Sequence, residues 1–414
     1  VLPLPFMAYA TSRLGRKTHE SFKHSQAAFS ELNNKVQESV SGIKVTKSFG
    51  YQEAELADFQ RVNAMTYQKN MTTMKYDVMF DPLVLLFIGA SYVLTLLMGS
   101  VMVVKGQVTV GSLVTFVTYL DMLVWPLMAI GFLFNMIQRG SVSYSRIEEL
   151  LSQESDVKDP EHPIVPAENG ALVYHIDAFH YDHEATLNNI HFTLKKGQTL
   201  GIVGQTGSGK TTLLRLLLRQ HDVTQGSITL NGHNLKDYRL EDLRKLIGYV
   251  PQDQFLFATT ILENVRFGNP ELSRNAVAEA TKLSQVYEDI MAMPEGFDTV
   301  VGEKGVSLSG GQKQRIAMSR AMILDPEILL LDDSLSAVDA KTEHAIIDNL
   351  RETRQHQTTI ITAHRLSAVV HADLILVLQD GTIIEQGRHE DLLKADGWYA
   401  KTYASQQLEM EETL

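Results

Sequence analysis

The stretch that decides the fold is Gly204-Gln205-Thr206-Gly207-Ser208-Gly209-Lys210-Thr211, which follows the pattern G-x-x-x-x-G-K-[ST]. Its glycines allow backbone N–H groups to surround phosphate oxygens, Lys210 supplies a positive charge, and the hydroxyl of Thr211 is a ligand for Mg²⁺. Leu200-Gly201-Ile202-Val203 is typical of a buried strand that enters the loop, and Thr212 begins an apolar helical run that leaves it. This order of strand, glycine-rich loop and helix predicts a nucleoside triphosphate site over residues 204–212.

A second run predicts the hydrolytic part of the site. Ile328-Leu329-Leu330-Leu331-Asp332-Asp333 is typical of a buried strand that ends in two carboxylates. Asp332 is predicted to hold Mg²⁺, directly or through water, and Asp333 to orient the attacking water. Two aspartates after a strand indicate little alone, but downstream of a phosphate-binding loop they indicate nucleotide hydrolysis.

A third run, Leu308-Ser309-Gly310-Gly311-Gln312, resembles the signature motif of ATP-binding cassette (ABC) proteins, and the flanking motifs follow in that family's order. The resemblance covers essentially the whole chain and implies ATP and Mg²⁺ as cofactors. It also implies that two cassettes pair head to tail. Ser309 to Gln312 would then cap the γ-phosphate of an ATP held by the partner.

The same resemblance implies roles for further residues. Tyr181 is implied to stack on adenine, and Gln252, in Val250-Pro251-Gln252-Asp253, to touch Mg²⁺ and sense the membrane domain. His364 is implied near the γ-phosphate, while Glu303 and the run Ser336-Ala337-Val338-Asp339 resemble neighbouring motifs of exporters. Taken singly, Tyr181 and His364 would indicate ordinary packing or surface residues, so the ordered series carries the inference. The implied catalytic set is Asp333, His364 and Gln252, and the implied metal set is Thr211, Gln252 and Asp332.

The composition excludes some classes of partner. A net charge of −12, from 49 acidic and 37 basic residues, argues against nucleic acid as the main partner. The absence of cysteine excludes disulfides and thiolate metal sites, and is compatible with a reducing cytoplasm. At 414 residues, two or three domains are expected.

The first half of the chain is predicted to lie in the lipid bilayer. Residues 78–104 and 113–137 are long and apolar enough to span it, with one acid each, Asp81 and Asp121. Basic residues flank the far ends of both stretches and place those ends in the cytoplasm by the positive-inside rule: Lys69, Lys75, Arg139 and Arg146. The sequence therefore predicts a multi-pass protein of the cell membrane.

The ends of the membrane half raise two open alternatives. Residues 1–10 are apolar and are expected to be the tail of a further span that begins before Val1, or else a buried soluble helix or interfacial anchor. Residues 12–75 predict a long cytoplasmic helical arm, interrupted near Gly42 and Gly50, and a coiled-coil spacer is the alternative.

Each predicted span carries an acid and a proline. Kinks are expected at Asp81-Pro82 and Trp125-Pro126, where proline lacks a backbone donor. An acid at membrane depth indicates contact with a cationic substrate or a proton, whereas an acid at a helix end or in water has only a packing role.

These patterns predict a multidomain membrane protein. An all-α transmembrane domain, truncated at its N-terminus, is expected over residues 1–150, followed by a linker over 151–170. An α/β P-loop NTPase cassette with a helical subdomain is expected over 171–405, followed by an acidic tail over 406–414.

One residue departs from the family pattern, because the position after the Walker B aspartate is normally glutamate and here is Asp333. The shorter side chain predicts an impaired general base in this chain's own ATP site. The intact signature predicts that this chain completes the ATP site of a partner. This asymmetry resembles the degenerate-site subunit of bacterial heterodimeric multidrug exporters. It implies a second half-transporter as partner and small amphipathic or cationic molecules as substrate.

Other functions remain open on the sequence. The cargo could be a lipid, lipopeptide or peptide, and the chain could be a regulatory subunit without turnover of its own. A soluble cassette ATPase of DNA maintenance also uses a signature motif, but the two apolar stretches and the acidic charge count against it.

Overall fold

A computed structural model describes residues 3–165, 170–181, 185–302 and 308–412. The chain divides into two compact units, Val1–Gln153 and Glu154–Leu414, called here the N-terminal and C-terminal units. Glu303 and the rest of 303–307 lie outside the described residues.

The described part of the N-terminal unit is helical. Its helices are α1 (Pro3–Ser41), α2 (Ile43–Ser48), α3 (Gln52–Val78), α4 (Phe80–Val104) and α5 (Val110–Leu151). The predicted interruptions at Gly42 and Gly50 are confirmed, since Gly42 caps α2 and Gly50, at φ +65°, lies between α2 and α3. Glycine suits the second position because a side chain is strained at positive φ.

Polar contacts join α1 to α3. Lys35 Nζ lies 3.1 Å from Glu55 Oε1 and 3.0 Å from Asp58 Oδ2, and the buried hydroxyl of Thr66 donates to the carbonyl oxygen of Ala28 at 3.2 Å. Such contacts suit a helix pair with few apolar residues, because buried polar groups need partners.

The predicted span over residues 78–104 lies within the helical stretch Gln52–Val104, which is long and apolar enough to cross a membrane. A shorter apolar stretch, Val110–Leu123, opens α5; several side chains beyond it are outside those described, so the span to residue 137 stays a prediction.

The two prolines act differently. The helix breaks at Met79, between α3 and α4, because Pro82 cannot donate to the carbonyl of Val78. Asp81 therefore lies in the first turn of α4, which supports the helix-end alternative for this acid. Pro126 lies inside α5, which continues through it.

The C-terminal unit contains two sheets. One is antiparallel, in the order β2-β1-β4-β5; the other has the order β10-β9-β3-β8-β7-β6 and is parallel except for β10. The strands are β1 (Leu172–His180), β2 (Ala185–Leu194), β3 (Thr199–Gly204), β4 (Gln225–Leu230), β5 (His233–Asn234), β6 (Ile247–Val250), β7 (Ile328–Asp332), β8 (Thr358–Thr362), β9 (Leu374–Gln379) and β10 (Thr382–Gly387).

Some helices of this unit pack against the sheets, and others form a group with a core of its own. They are α6 (Lys210–Leu217), α7 (Leu240–Lys245), α8 (Ile261–Val265), α9 (Arg274–Leu283), α10 (Tyr287–Met291), α11 (Gly310–Met322), α12 (Ala340–Thr353), α13 (His389–Lys394) and α14 (Trp398–Glu412). Residues of α8 to α11 share a core of their own, which includes Ile261, Val277, Ile290 and Ile316. This group is the predicted helical subdomain.

The parallel sheet positions the site. Every residue of β7 and β8 is buried, as expected for central strands of a parallel sheet. The carboxyl ends of β3, β7 and β8 lie at one edge, which brings Gly204, Asp332 and Thr362 together.

Two predicted boundaries look different in the structure. Residues 154–165, predicted as linker, belong to the C-terminal unit: Val157 is buried, and the Lys158 carbonyl accepts a hydrogen bond from Arg219 Nη2 at 2.8 Å. At the other end, α14 continues to Glu412, past the predicted limit at residue 405.

Candidate nucleotide-binding site

The phosphate-binding loop connects β3 to α6 through three glycines at positive φ. Gly204, Gly207 and Gly209 have φ values of +147°, +84° and +100°. A Cβ atom on Gly204 would lie 2.1 Å from the carbonyl oxygen of Leu378, so this position excludes any side chain. A Cβ atom on Gly207 would meet nothing within 4 Å, which leaves that side of the loop open.

Lys210 is held at the start of α6. It is buried, and its Nζ donates to the carbonyl oxygens of Gly204 and Gln205, both at 2.8 Å. Burial lowers the pKa of the Lys210 amine, while the carboxylates of Asp333 and Asp332 oppose that shift. The ammonium group therefore has only neutral hydrogen-bond acceptors, and an incoming phosphate would satisfy it better.

The loop fits a triphosphate by its remaining groups as well. Ser208 Oγ is buried and has no hydrogen-bond partner among the described residues. The first N–H groups of α6 point toward the loop, as at other anion-binding helix ends. Buried polar atoms are rarely left unpaired, so this unpaired hydroxyl marks a place for a polar ligand.

The carboxylate of Asp332 accepts hydrogen bonds from the hydroxyl groups of three neighbours. Its Oδ1 accepts from Thr211 Oγ1 at 3.1 Å and Thr362 Oγ1 at 2.8 Å, and its Oδ2 accepts from the Tyr249 hydroxyl at 3.3 Å. Burial raises the pKa of Tyr249 to about 12, so this phenol stays a donor at neutral pH.

The oxygens of Thr211 and Asp332 fit a Mg²⁺ ion that also binds phosphate. Mg²⁺ is commonly held by one or two protein oxygens together with substrate phosphates. Among the described residues, no group of three or more His, Cys, Asp or Glu could hold a metal ion by itself.

Asp333 follows at a strained backbone position. Its φ is +46°, and its N–H donates to the carbonyl oxygen and the hydroxyl of Thr362 at 3.1 and 2.9 Å. The half-buried carboxylate lies near His364 and Lys210. Burial raises the pKa of Asp333, although nearby His364 and Lys210 oppose the shift.

The remaining predicted site residues lie around this centre. Tyr181 donates to Thr212 Oγ1 at 3.3 Å and packs edge-on against Phe179, with ring centroids 5.0 Å apart. Gln252 follows β6 at the same sheet edge; its side chain is exposed and makes no hydrogen bond recorded for the described residues. The structure brings Thr211 and Asp332 together but does not bring Gln252 to them.

The signature segment begins α11 and is separate from the phosphate loop. Ser309 caps this helix: its Oγ accepts from the Gln312 N–H at 3.2 Å, and Gln312 Oε1 accepts from the Ser309 N–H at 3.1 Å. Gln312 Nε2 also donates to Asp289 of α10 at 3.2 Å. Ser309 and Gly310 are exposed, and their helix end is available to a ligand from another molecule.

Three residues support the site although their roles were not predicted from the sequence. Tyr249 and Thr362 hold Asp332, and both lie within a few residues of motifs already singled out. Gln406, on α14, donates to the carbonyl of His364 at 2.9 Å and accepts from the N–H of Leu366 at 2.9 Å. No sequence signal connects Gln406 to the site, because its contact spans 42 residues.

The phosphate loop, the carboxylates after β7 and the capped signature helix define an ATP-binding cassette. The chain matches the profile of the ABC transporter over residues 187–336 and that of the ABC transporter transmembrane region over residues 1–127. The chain belongs to the ABC transporter family as an exporter half-transporter, with a transmembrane region and a nucleotide-binding cassette fused in one polypeptide. It is an ATPase that spans the membrane and has its nucleotide-binding domain in the cytoplasm.

Particular relatives are similar over nearly the whole chain. It is 48% identical over 410 residues to the Bacillus subtilis "Probable multidrug resistance ABC transporter ATP-binding/permease protein YheI", covering 99% of this chain and 70% of the relative. It is 44% identical over 412 residues to the Escherichia coli "Multidrug resistance-like ATP-binding protein MdlA", with coverage of 99% and 70%. A solved bacterial Atm1-family ABC exporter with ATP bound is 31% identical with a TM-score of 0.88, over 98% of this chain and 72% of that one.

Proposed function

We propose that this chain is one half of a heterodimeric exporter of small amphipathic molecules, in which its own ATP site is impaired and its signature completes the partner's site. The relatives whose names refer to multidrug resistance support drug efflux as the transport activity. The observation that carries the heterodimer is Asp333, which stands where the family's pattern has glutamate.

The position of Asp333 supports an impaired general base. Its side chain is one methylene shorter than that of glutamate, so its carboxylate stays closer to the backbone, near His364. Burial raises the pKa of its carboxyl, which does not weaken it as a base, so the impairment proposed here rests on reach alone. A general base must reach the attacking water within hydrogen-bond distance, and the shorter side chain stops before the place a glutamate would reach.

The remaining groups are complete for ATP binding. Lys210, Ser208 and the N–H groups of residues 204–212 would hold the phosphates, and Tyr181 would stack on adenine. Thr211 and Asp332 would hold Mg²⁺, which would supply positive charge against the phosphates. The family pattern also implies Gln252 as a ligand. Strong binding with weak hydrolysis makes this site a clamp that keeps the two cassettes together.

The signature supports the second half of the proposal. The capping box of Ser309 and Gln312 fixes the start of α11, and the anchor to Asp289 holds it against α10. A rigid, exposed helix N-terminus suits the γ-phosphate of an ATP bound by another cassette. ATP binding would close the paired cassettes and move the helical arms, and hydrolysis at the partner's site would reset them.

The test is ATPase activity of the full-length subunit alone, of a candidate partner subunit that carries glutamate at the equivalent position, and of both together. We expect little turnover for this chain alone, and drug-stimulated turnover for the pair. Ethidium efflux from cells that produce one or both subunits measures transport. Rapid hydrolysis by this chain alone would contradict the impaired site, and an active pair without ethidium efflux would contradict the drug cargo.

A further inference from the structure

An acid and a tyrosine meet between two helices of the N-terminal unit. The Tyr92 hydroxyl on α4 donates to Asp121 Oδ1 on α5 at 2.7 Å. The two helices approach closely further along, where a Cβ atom on Gly99 would lie 2.2 Å from a methyl carbon of Leu113. Both contacts follow one antiparallel register, so the pairing of Tyr92 with Asp121 is part of regular helix packing.

This contact lies near mid-membrane depth. Tyr92 is midway along α4, Phe80–Val104, in the helical stretch that meets the criterion for a span. At about 1.5 Å per residue, Asp121 lies about 17 Å into α5, near the middle of a hydrocarbon core about 30 Å thick. A carboxylate at that depth is costly unless it has a partner or a ligand.

The Tyr92 hydroxyl donates a hydrogen bond to only one of the two carboxylate oxygens of Asp121. Asp121 Oδ2 accepts no hydrogen bond from the residues the structure describes, and Tyr92 contributes no positive charge. Pro126 adds another free acceptor, because it has no N–H to donate to the helical carbonyl of Met122. Negative potential is therefore concentrated around one turn of α5.

Aromatic rings adjoin this turn. Trp125 is four residues after Asp121 on α5 and so shares its face, and 76% of its surface is exposed. Tyr92 brings a second ring from α4. A carboxylate with aromatic rings next to it is the chemistry that recognises organic cations, through charge and cation–π attraction.

We propose that Asp121, Tyr92 and Trp125 form a binding site for organic cations at mid-membrane depth, which gives the exporter a preference for cationic over neutral cargo. The proposal deepens the efflux function above and rests on it for the transport step. Tyr92 positions Oδ1 by its hydrogen bond, Oδ2 faces the cation, and Trp125 covers the apolar part of the ligand. A bound cation neutralises the carboxylate that the membrane otherwise disfavours.

The experiment compares a permanently cationic dye, ethidium, with a neutral aromatic dye, Nile red. The transporter is purified from its native membrane through a tag on this chain, so that it carries its own partner, and equilibrium binding is followed by dye fluorescence. We expect Asp121→Asn to weaken ethidium binding at least about tenfold, equivalent to about 1.4 kcal/mol, and to change Nile red binding by less than about twofold. Tyr92→Phe should weaken ethidium binding by about threefold.

Two further variants separate charge from structure. Asp121→Glu keeps the charge and should retain the preference for ethidium. Glu148→Gln removes a carboxylate from the same helix about 40 Å away and should change neither dye. Equal loss of both dyes in Asp121→Asn, or no loss of ethidium, would overturn the cation site. If Asp121→Asn left the ethidium affinity unchanged but altered the pH dependence of Nile red export, Asp121 would be a proton site and not a cation site.

The outcomes also separate this proposal from the efflux function. Binding is measured without ATP, so loss of ethidium binding in Asp121→Asn supports the site even if the wild-type transporter exports neither dye. In that case only the efflux function fails. Export of both dyes with unchanged ethidium affinity in Asp121→Asn would leave the efflux function standing and remove the site.

Discussion

Asp333→Glu should restore hydrolysis at this chain's own ATP site. The substitution adds one carbon–carbon bond, about 1.5 Å of reach, to a carboxylate that now lies near His364. A misplacement of about 1 Å costs on the order of 10² in rate, and a general base contributes about 10²–10⁴. We therefore expect turnover at this site to rise about 10²-fold, which corresponds to about 2.7 kcal/mol of transition-state stabilisation.

The backbone conformation at residue 333 should make the Asp333→Glu variant less stable than the wild type. Asp333 has φ +46°, a region that aspartate tolerates better than most residues. Glutamate there should lower the stability of the cassette by about 1 kcal/mol, visible as a lower melting temperature. Stability and rate should thus move in opposite directions in the same variant.

The assay must isolate one of the two sites. In a Ser309→Ala background the partner's site loses this chain's signature hydroxyl, so single-turnover hydrolysis of labelled ATP reports mainly on the site that contains Asp333. Asp333→Asn, which keeps the size and removes the charge, is the matched control and should not exceed the wild-type rate. A change of less than about twofold for Asp333→Glu would refute the argument from reach, since the expected range starts near 10².

Three other outcomes follow from the structure. Gly204→Ala should lower the free energy of unfolding by about 2–4 kcal/mol, because the added Cβ has no space. The control is Gly232→Ala, at φ +82° with nothing within 4 Å of an added Cβ. It should lower the free energy of unfolding by about 1 kcal/mol in the same denaturation experiment. Burial lowers the pKa of His389 below 6.5, so its contribution to stability is present above pH 6.5 and is lost as the pH falls; melting temperatures at pH 7.5 and 5.5 should differ more for the wild type than for His389→Gln. Ser309→Ala should reduce steady-state ATPase of the transporter without weakening ATP binding at this chain's own loop, which photolabelling of each subunit would check. Equal losses of labelling and turnover would contradict a role in the partner's site.

Local sequence predicted the parts of the site that depend on short runs. The loop over 204–211 and the carboxylates after β7 follow from steric and chemical needs within a few residues, and both lie at the carboxyl edge of the parallel sheet. The breaks at Gly42 and Gly50 were predictable for the same reason, whereas the helical subdomain was expected from the resemblance to ABC proteins.

The contacts that depend on tertiary register could not be predicted. Tyr249 and Thr362 reach Asp332 only because β6, β7 and β8 are neighbours in the parallel sheet. Asp81 and Asp121 looked equivalent in sequence, and the start of α4 and the register of α4 against α5 separate them into a helix-end acid and an acid that pairs with Tyr92. Composition marked residues 151–170 as a linker, although Val157 within them is buried and the Lys158 carbonyl accepts a hydrogen bond from Arg219.

The amide of Gln406 links the last helix to the loop that carries His364. One side chain supplies both a donor for the His364 carbonyl and an acceptor for the Leu366 N–H, so the two ends of a short turn are fixed by a residue from the C-terminal helix. A shortened protein that ends at residue 405, a natural place to cut by sequence, would keep every recognised motif and still release this turn. Helix α14 is therefore mechanically part of the nucleotide site, although it lies far along the chain from the histidine whose turn it holds.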